Sequence, residues 1–202
     1  MDWPKIIEFY YENFKTKLIE DITHLYQLGQ RDFAENYVQE LLEKKTQAAK
    51  IGLNDIRWHF IGHLQTNKVK SVVKEIDSLH TLDSEKLAKE IQKQLLKINK
   101  TLDCFIEINI DEEPTKAGIL ASKLPEFLSF IQISCKQIKI IGLMCIPDPK
   151  KDSRAAFKEI KTLSQKYSIP FLSMGMSADY KTAIEEGSTH IRIGTLLFGP
   201  RT

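Results

Sequence analysis

The feature that most constrains this chain is its repeating order: a short apolar segment, then a longer amphipathic one, over nearly its whole length. The amphipathic stretches have the 3.6-residue spacing of helices with one buried face. They predict helices over 18–28, 37–49, 64–75, 84–98, 121–134, 154–167 and 178–186. In one of them Leu87, Ala88, Ile91, Leu95 and Ile98 make a stripe, and Lys86, Lys89, Glu90 and Lys93 fall mostly off it. Side-chain oxygens suited to capping stand at the starts, Asp83 or Ser84 for one helix, Ser153 and Ser177 for two others. Gly187 follows the last periodic residue of its helix, where a left-handed residue commonly ends one.

Between the helices lie short runs rich in Ile and Phe, at 32–35, 58–61, 78–81, 104–109, 139–144, 171–174 and 190–194. Several lack polar alternation, which fits parallel strands covered by helices. Residues 6–14 would supply the eighth. Eight strands alternating with helices predict an α/β fold, a (β/α)₈ TIM barrel. An open doubly wound sheet is the competing arrangement. Its dinucleotide-binding form lacks the expected GxGxxG after the first strand. No linker, repeat or low-complexity segment divides the chain, so 1–202 is read as a single domain.

Charge narrows the function. Lys plus Arg number 29 against 27 Asp plus Glu, a net charge of +2, which gives no basic excess for nucleic acid. Lysine clusters at 68–74 and 93–100 alternate with apolar residues at helical spacing and read as solvated faces. Cys104, Cys135 and Cys145 match no metal or redox spacing, and two of them sit in apolar runs, which suggests a reducing compartment. No basic-then-apolar leader opens the chain, and no apolar run is long enough for a bilayer. A cytoplasmic protein without membrane or nucleic-acid partners is expected, and a monomer.

In a (β/α)₈ barrel the chemistry sits at the C-terminal strand ends. Here those ends carry Lys15, Asn36, His59 with Gly62, His80, Asn109, Met144, Ser173 with Ser177, and Gly194 with Thr195. Arg192 lies between Ile191 and Ile193 and faces opposite to both, into the barrel or into the helix layer. A guanidinium in either place needs a partner. Two segments suit a phosphate: Ser173-Met174-Gly175-Met176-Ser177, leading into a helix, and Arg192-Ile193-Gly194-Thr195. Both follow the last two strands, where many barrels hold an anion. Ser177 could equally be a plain helix cap. A lysine across the mouth from a phosphate pocket suggests a covalently held aldehyde cofactor, because burial frees the amine to attack a carbonyl.

Longer strings carry a resemblance. KTKLIEDI at 15–22, GQRDFAENYVQELLEK at 29–44, RWHFIGHLQTNKVK at 57–70, and then HTLDSEKLAKEI, INIDEEPTKAGI, IIGLMCIP and LSMGMSADYKTAIEEGSTHIRIGTLLFGPR are similar to the YggS/PROSC family of pyridoxal phosphate homeostasis proteins. That family shares its fold with the N-terminal domain of alanine racemases. The resemblance runs from Lys15 to Arg201 and implies a pyridoxal 5′-phosphate (PLP) cofactor held on Lys15 as a Schiff base. It implies Arg192 at the pyridine nitrogen, Ser173, Ser177, Gly194 and Thr195 on the phosphate, and Asn36, His59 and Met144 around the ring. It also places Lys116 and Gly118 near the site face, and makes PLP-dependent apoenzymes the implied partners for delivery.

The chain departs from the family twice. Tyr11-Glu12-Asn13-Phe14 stands where relatives carry an apolar strand, after a shortened N-terminus, and Ala34 stands where they usually carry glycine. The methyl of Ala34 would crowd the backbone if a positive φ were needed there. Other motifs point nowhere stronger. His59 and His63 are four apart but lack the glutamate of a zinc helix, so no metal is expected. The acidic run Asp111-Glu112-Glu113 reads as a solvated loop, and His24 and His190 as structural or surface residues. No GxSxG motif supports a hydrolase. Two alternatives stay open beside a binding protein: a racemase-like PLP enzyme, for which the second domain with its opposing tyrosine is expected to be absent, and a barrel that has lost cofactor binding through its altered first strand.

Overall fold

The computed structural model describes the backbone of residues 7–9 and all of residues 19–194. The strands β1 (Ile7–Phe9), β2 (Asp32–Glu35), β3 (Arg57–Phe60), β4 (Ser78–Leu82), β5 (Leu102–Glu107), β6 (Ile138–Met144), β7 (Phe171–Met176) and β8 (His190–Arg192) alternate with helices. The helices are α1 (Ile19–Gln27), α2 (Val38–Lys50), α3 (Val69–Val72), α4 (Glu85–Lys97), α5 (Leu124–Ser134), α6 (Ser153–Lys166) and α7 (Tyr180–Glu185). Every strand pairs in parallel with the next in sequence, in the order β1-β2-β3-β4-β5-β6-β7-β8, and β8 lies alongside β1. This is the expected (β/α)₈ barrel and not the open doubly wound sheet. Of the predicted first strand, only Ile7–Phe9 falls within the described residues.

The strands run through two chemically different spaces. Phe33, Trp58, Phe60, Leu79, Cys104, Ile106, Leu143, Leu172 and Met174 face the helices. There they join Leu41, Leu87, Ile91, Phe127, Phe157 and Ala183 in one apolar cluster, all of it nearly free of solvent. Each such side chain contributes roughly 1.5–3 kcal/mol on burial. The alternate residues point inward. Asp32, His59, Ser78, His80, Phe105, Ser173, His190 and Arg192 touch one another across the barrel through hydrogen bonds and ring contacts. Gly142 makes room for the ring of Phe105, since a Cβ there would lie 2.2 Å from it. Ala34 is fully buried in a strand beside Ile61, and its backbone does not adopt a positive φ.

Local signals set the helix ends. Ser84 caps α4, its Oγ accepting from the N–H of Leu87. The predicted caps at Ser153 and Ser177 are corrected. Asp152, one residue earlier, accepts from the N–H of Arg154. The helix after β7 starts later than expected, at Tyr180, with Asp179 before it accepting from the N–H of Met176. The predicted helix over 64–75 is a 3₁₀ turn, Thr66–Lys68, running into the short α3. Among the described residues no helix is long and apolar enough to cross a membrane.

Candidate functional site

The C-terminal mouth gathers residues from several strand ends. Asn36 follows β2, Met144 ends β6, Arg192 ends β8 and Gly194 follows it, while Ser177 stands in the turn after β7. Met144, Arg192 and Gly194 are buried, and Asn36 and Ser177 are half-buried. Lys15 and Thr195 lie outside the described residues. Gly175 shapes the turn that carries Ser177. It adopts φ +94°, and a Cβ there would come within 2.4 Å of the Ala183 methyl on α7. Glycine therefore lets α7 pack close under the end of β7.

Arg192 points into the barrel, resolving the two directions left open by the alternation of β8. It is only 3% exposed. Nη1 donates to the carbonyl and to the hydroxyl of Ser173, both at 2.9 Å, and Nη2 to the carbonyl of Cys145 at 3.1 Å. All three acceptors are neutral. Among the described residues Arg192 forms no salt bridge, and Nε–H and one N–H of Nη2 meet no acceptor. A buried guanidinium held this way is short of negative charge. Glu107, the last residue of β5, is the nearby carboxyl. Burial, then the charge of Asp83, raise it to about 7, with Arg192 pulling the other way. Burial likewise pushes the Cys145 thiol up to about 12, so that residue serves the site through its carbonyl.

Two expected site residues have hydrogen-bond partners inside the barrel. Ser173 was predicted to bind phosphate, but β7 continues beyond 174 to Met176, which puts Ser173 in mid-strand. Its hydroxyl is fully buried and bonds Arg192 and His80 Nδ1, at 2.9 and 2.8 Å. It supports the guanidinium, ahead of the turn that carries Ser177. His59 was predicted to line the cofactor ring. Its Nε2 instead meets Asp32, the first residue of β2, at 3.1 Å, and its Nδ1 meets Ser78, the first residue of β4, at 2.5 Å. It pairs in register with Ala34 of β2 and Ser78, the first residue of β4. Asp32 also takes two bonds from Arg57, at 2.6 and 2.5 Å. Burial works to raise the Asp32 carboxyl, but hydrogen bonds from Arg57 and His59 outweigh it and hold it well below the usual carboxylate range. His63 goes to Asp83, at 3.3 Å, so the two histidines of the HxxxH spacing serve different partners. His190 packs edge-on against Phe105 inside the barrel, in the structural role expected of it.

Glu107 was missed as a site candidate, and His80, read at a strand end, was given no role. The signal was present: in Ser78-Leu79-His80 and Phe105-Ile106-Glu107 polar and aromatic residues share one parity and aliphatic ones the other.

A parallel barrel with a buried cation and neutral oxygen acceptors at its C-terminal mouth defines the class of alanine-racemase-type barrels. A family model described as alanine racemase, N-terminal domain, matches residues 15–202. Pyridoxal phosphate homeostasis proteins match closely, that of Aquifex aeolicus at 44% identity over 71% of this chain and 67% of its own. That of Pasteurella multocida is 40% identical over 93% of this chain and 84% of its own. The chain belongs to the family of pyridoxal phosphate homeostasis proteins within that fold. Among solved structures, PipY of Synechococcus elongatus PCC7942 without PLP superposes with a TM-score of 0.86 at 32% identity, covering 97% of this chain and 93% of PipY. The same protein with PLP bound gives 0.84 at 31% identity, with 97% and 92% covered. An alanine racemase of Clostridium difficile 630, at 11% identity and a TM-score of 0.70, covers 98% of this chain and 53% of its own, and shares the fold.

Proposed function

We propose that this chain binds PLP at the C-terminal mouth of its barrel and acts in intracellular PLP homeostasis. The carrying observation is Arg192, a buried guanidinium with neutral acceptors below it and N–H groups that meet no acceptor among the described residues. An anionic cofactor bearing a ring nitrogen supplies both the missing negative charge and the missing acceptor. Bound PLP supplies an aldehyde for a lysine amine and a phosphate for the loops after β7 and β8. In this reading Lys15 bonds the aldehyde as a Schiff base. Ser177, Gly194 and Thr195 hold the phosphate through hydroxyl and backbone N–H groups, and Asn36 and Met144 flank the ring. Arg192 keeps the ring nitrogen unprotonated, which weakens the ring as an electron sink. That favours storage and handover to apoenzymes over turnover, and fits relatives named for homeostasis. The role is placed in the cytoplasm, with the protein acting as a monomer.

The test is the visible absorption spectrum of the purified protein before and after PLP addition. A cofactor band is expected, fixed by borohydride onto Lys15 and lost in Lys15→Ala. Protein that stays colourless at saturating PLP would overturn the proposal.

A further inference from the structure

The hydrogen bonds inside the barrel form one string, whose direction follows from its two ends when both imidazoles are neutral. Arg192 can only donate and the Asp32 carboxylate can only accept. Arg192 Nη1 donates to Ser173 Oγ at 2.9 Å, which leaves the Ser173 proton for His80 Nδ1 at 2.8 Å. His80 then carries its proton on Nε2, facing Ser78 Oγ at 3.1 Å and His59 Nδ1 at 3.2 Å. Ser78 gives its own proton to His59 Nδ1 at 2.5 Å, and His59 Nε2 donates to Asp32 at 3.1 Å. With both imidazoles neutral, this is the arrangement in which each donor meets an acceptor, His59 and His80 both carrying the proton on Nε2. His80 is fully buried among His59 from β3 and His190 and Arg192 from β8. Burial first, then the neighbouring His59, His190 and Arg192, hold its pKa well below the usual imidazole value.

Resting on the cofactor reading above, we propose that His80 and Ser173 are positioning residues for Arg192. By taking the Ser173 proton, His80 turns a lone pair of that hydroxyl toward the guanidinium. This fixes which N–H groups of Arg192 are used inside the barrel and which are left for the cofactor ring. An apolar residue at 80 leaves the Ser173 proton without its acceptor in a site closed to water. The hydroxyl then turns, and Arg192 loses the bond that aligns it.

Two measurements test this. In apo protein at neutral pH, long-range ¹H–¹⁵N NMR of the imidazoles should show His80 neutral with its proton on Nε2. A proton on Nδ1 overturns the string. In PLP-loaded protein, Ser173→Ala and His80→Leu should weaken PLP binding about tenfold. They should also move the pH midpoint of the bound-cofactor band by about half a unit. His80→Asn, whose Oδ1 can replace Nδ1 as acceptor, should restore most of both. Loaded wild type with Ser173→Ala and His80→Leu unchanged in affinity and midpoint overturns this inference alone. Wild type that takes up no PLP overturns the cofactor reading and this one with it. If His80→Leu fails to fold, Ser173→Ala, which removes a single oxygen, carries the same expectation.

Discussion

The two faces of the same strands differ in what they are built to do. Toward the helices the sheet shows Phe33, Trp58, Phe60, Leu79, Ile106 and Leu143, with the buried pair of Glu35 and Lys44 on α2 as a polar exception. Toward the axis it shows Asp32, His59, Ser78, His80, Glu107, Ser173 and Arg192. An aliphatic filling is the usual content of such a barrel. Here hydrogen bonding replaces much of it, and the net contribution of a hydrogen bond is smaller than that of a packed side chain. The contrast separates tasks: the outer layer supplies most of the stability, and the interior aligns one cation at the mouth.

Three substitutions probe that division, in falling order of effect. Phe60→Ala, in the outer layer, should cost about 3–5 kcal/mol in urea unfolding through the cavity it leaves. Protein still folded at low temperature should keep its affinity for PLP. A large loss of affinity without loss of stability would break the comparison. Glu107→Gln probes the interior through pH. The folded carboxyl titrates near about 7, above its ordinary value of 4.5. The unfolded chain therefore ionises first, and the apo protein loses stability as pH rises from the lower value to the higher. The loss is complete above the folded pKa. At pH 8 the variant should be more stable than wild type by on the order of 1–3 kcal/mol, with no difference near pH 4. Equal gains at both values would show that Glu107 titrates normally. Lys123→Ala removes an exposed ion pair with Glu126 at 3.1 Å. It belongs to neither face and should change stability by less than about 0.5 kcal/mol. A larger effect would mean that the surface contributes what is assigned here to the outer layer.

The barrel was legible in the sequence because its strands are buried on both sides and its helices on one. Runs such as Cys104-Phe105-Ile106 and stripes such as Leu87, Ile91 and Leu95 are the direct imprint of those two periods. Arg192 stood out for the same reason, as a charge on the inward parity of an apolar strand. The seventh strand was expected to end at Met174 because Gly175 suggests a loop. The left-handed glycine sits inside the last turns of β7 instead, and the strand continues past it. The depth of His59 follows from strand stagger, which sets it beside the first residues of β2 and β4 and which a local pattern does not carry. The His80–Ser173 bond joins residues 93 positions apart, a contact that local pattern does not encode.

The sheet order has a further consequence. Because each strand lies beside its chain neighbours, nearly every seam can form as soon as the next βα unit leaves the ribosome. Only the last seam, where β8 comes back against β1, has to wait for synthesis to reach the far end. Arg192 sits on that final strand, so the cation at the mouth arrives last, in a barrel whose other walls are already standing.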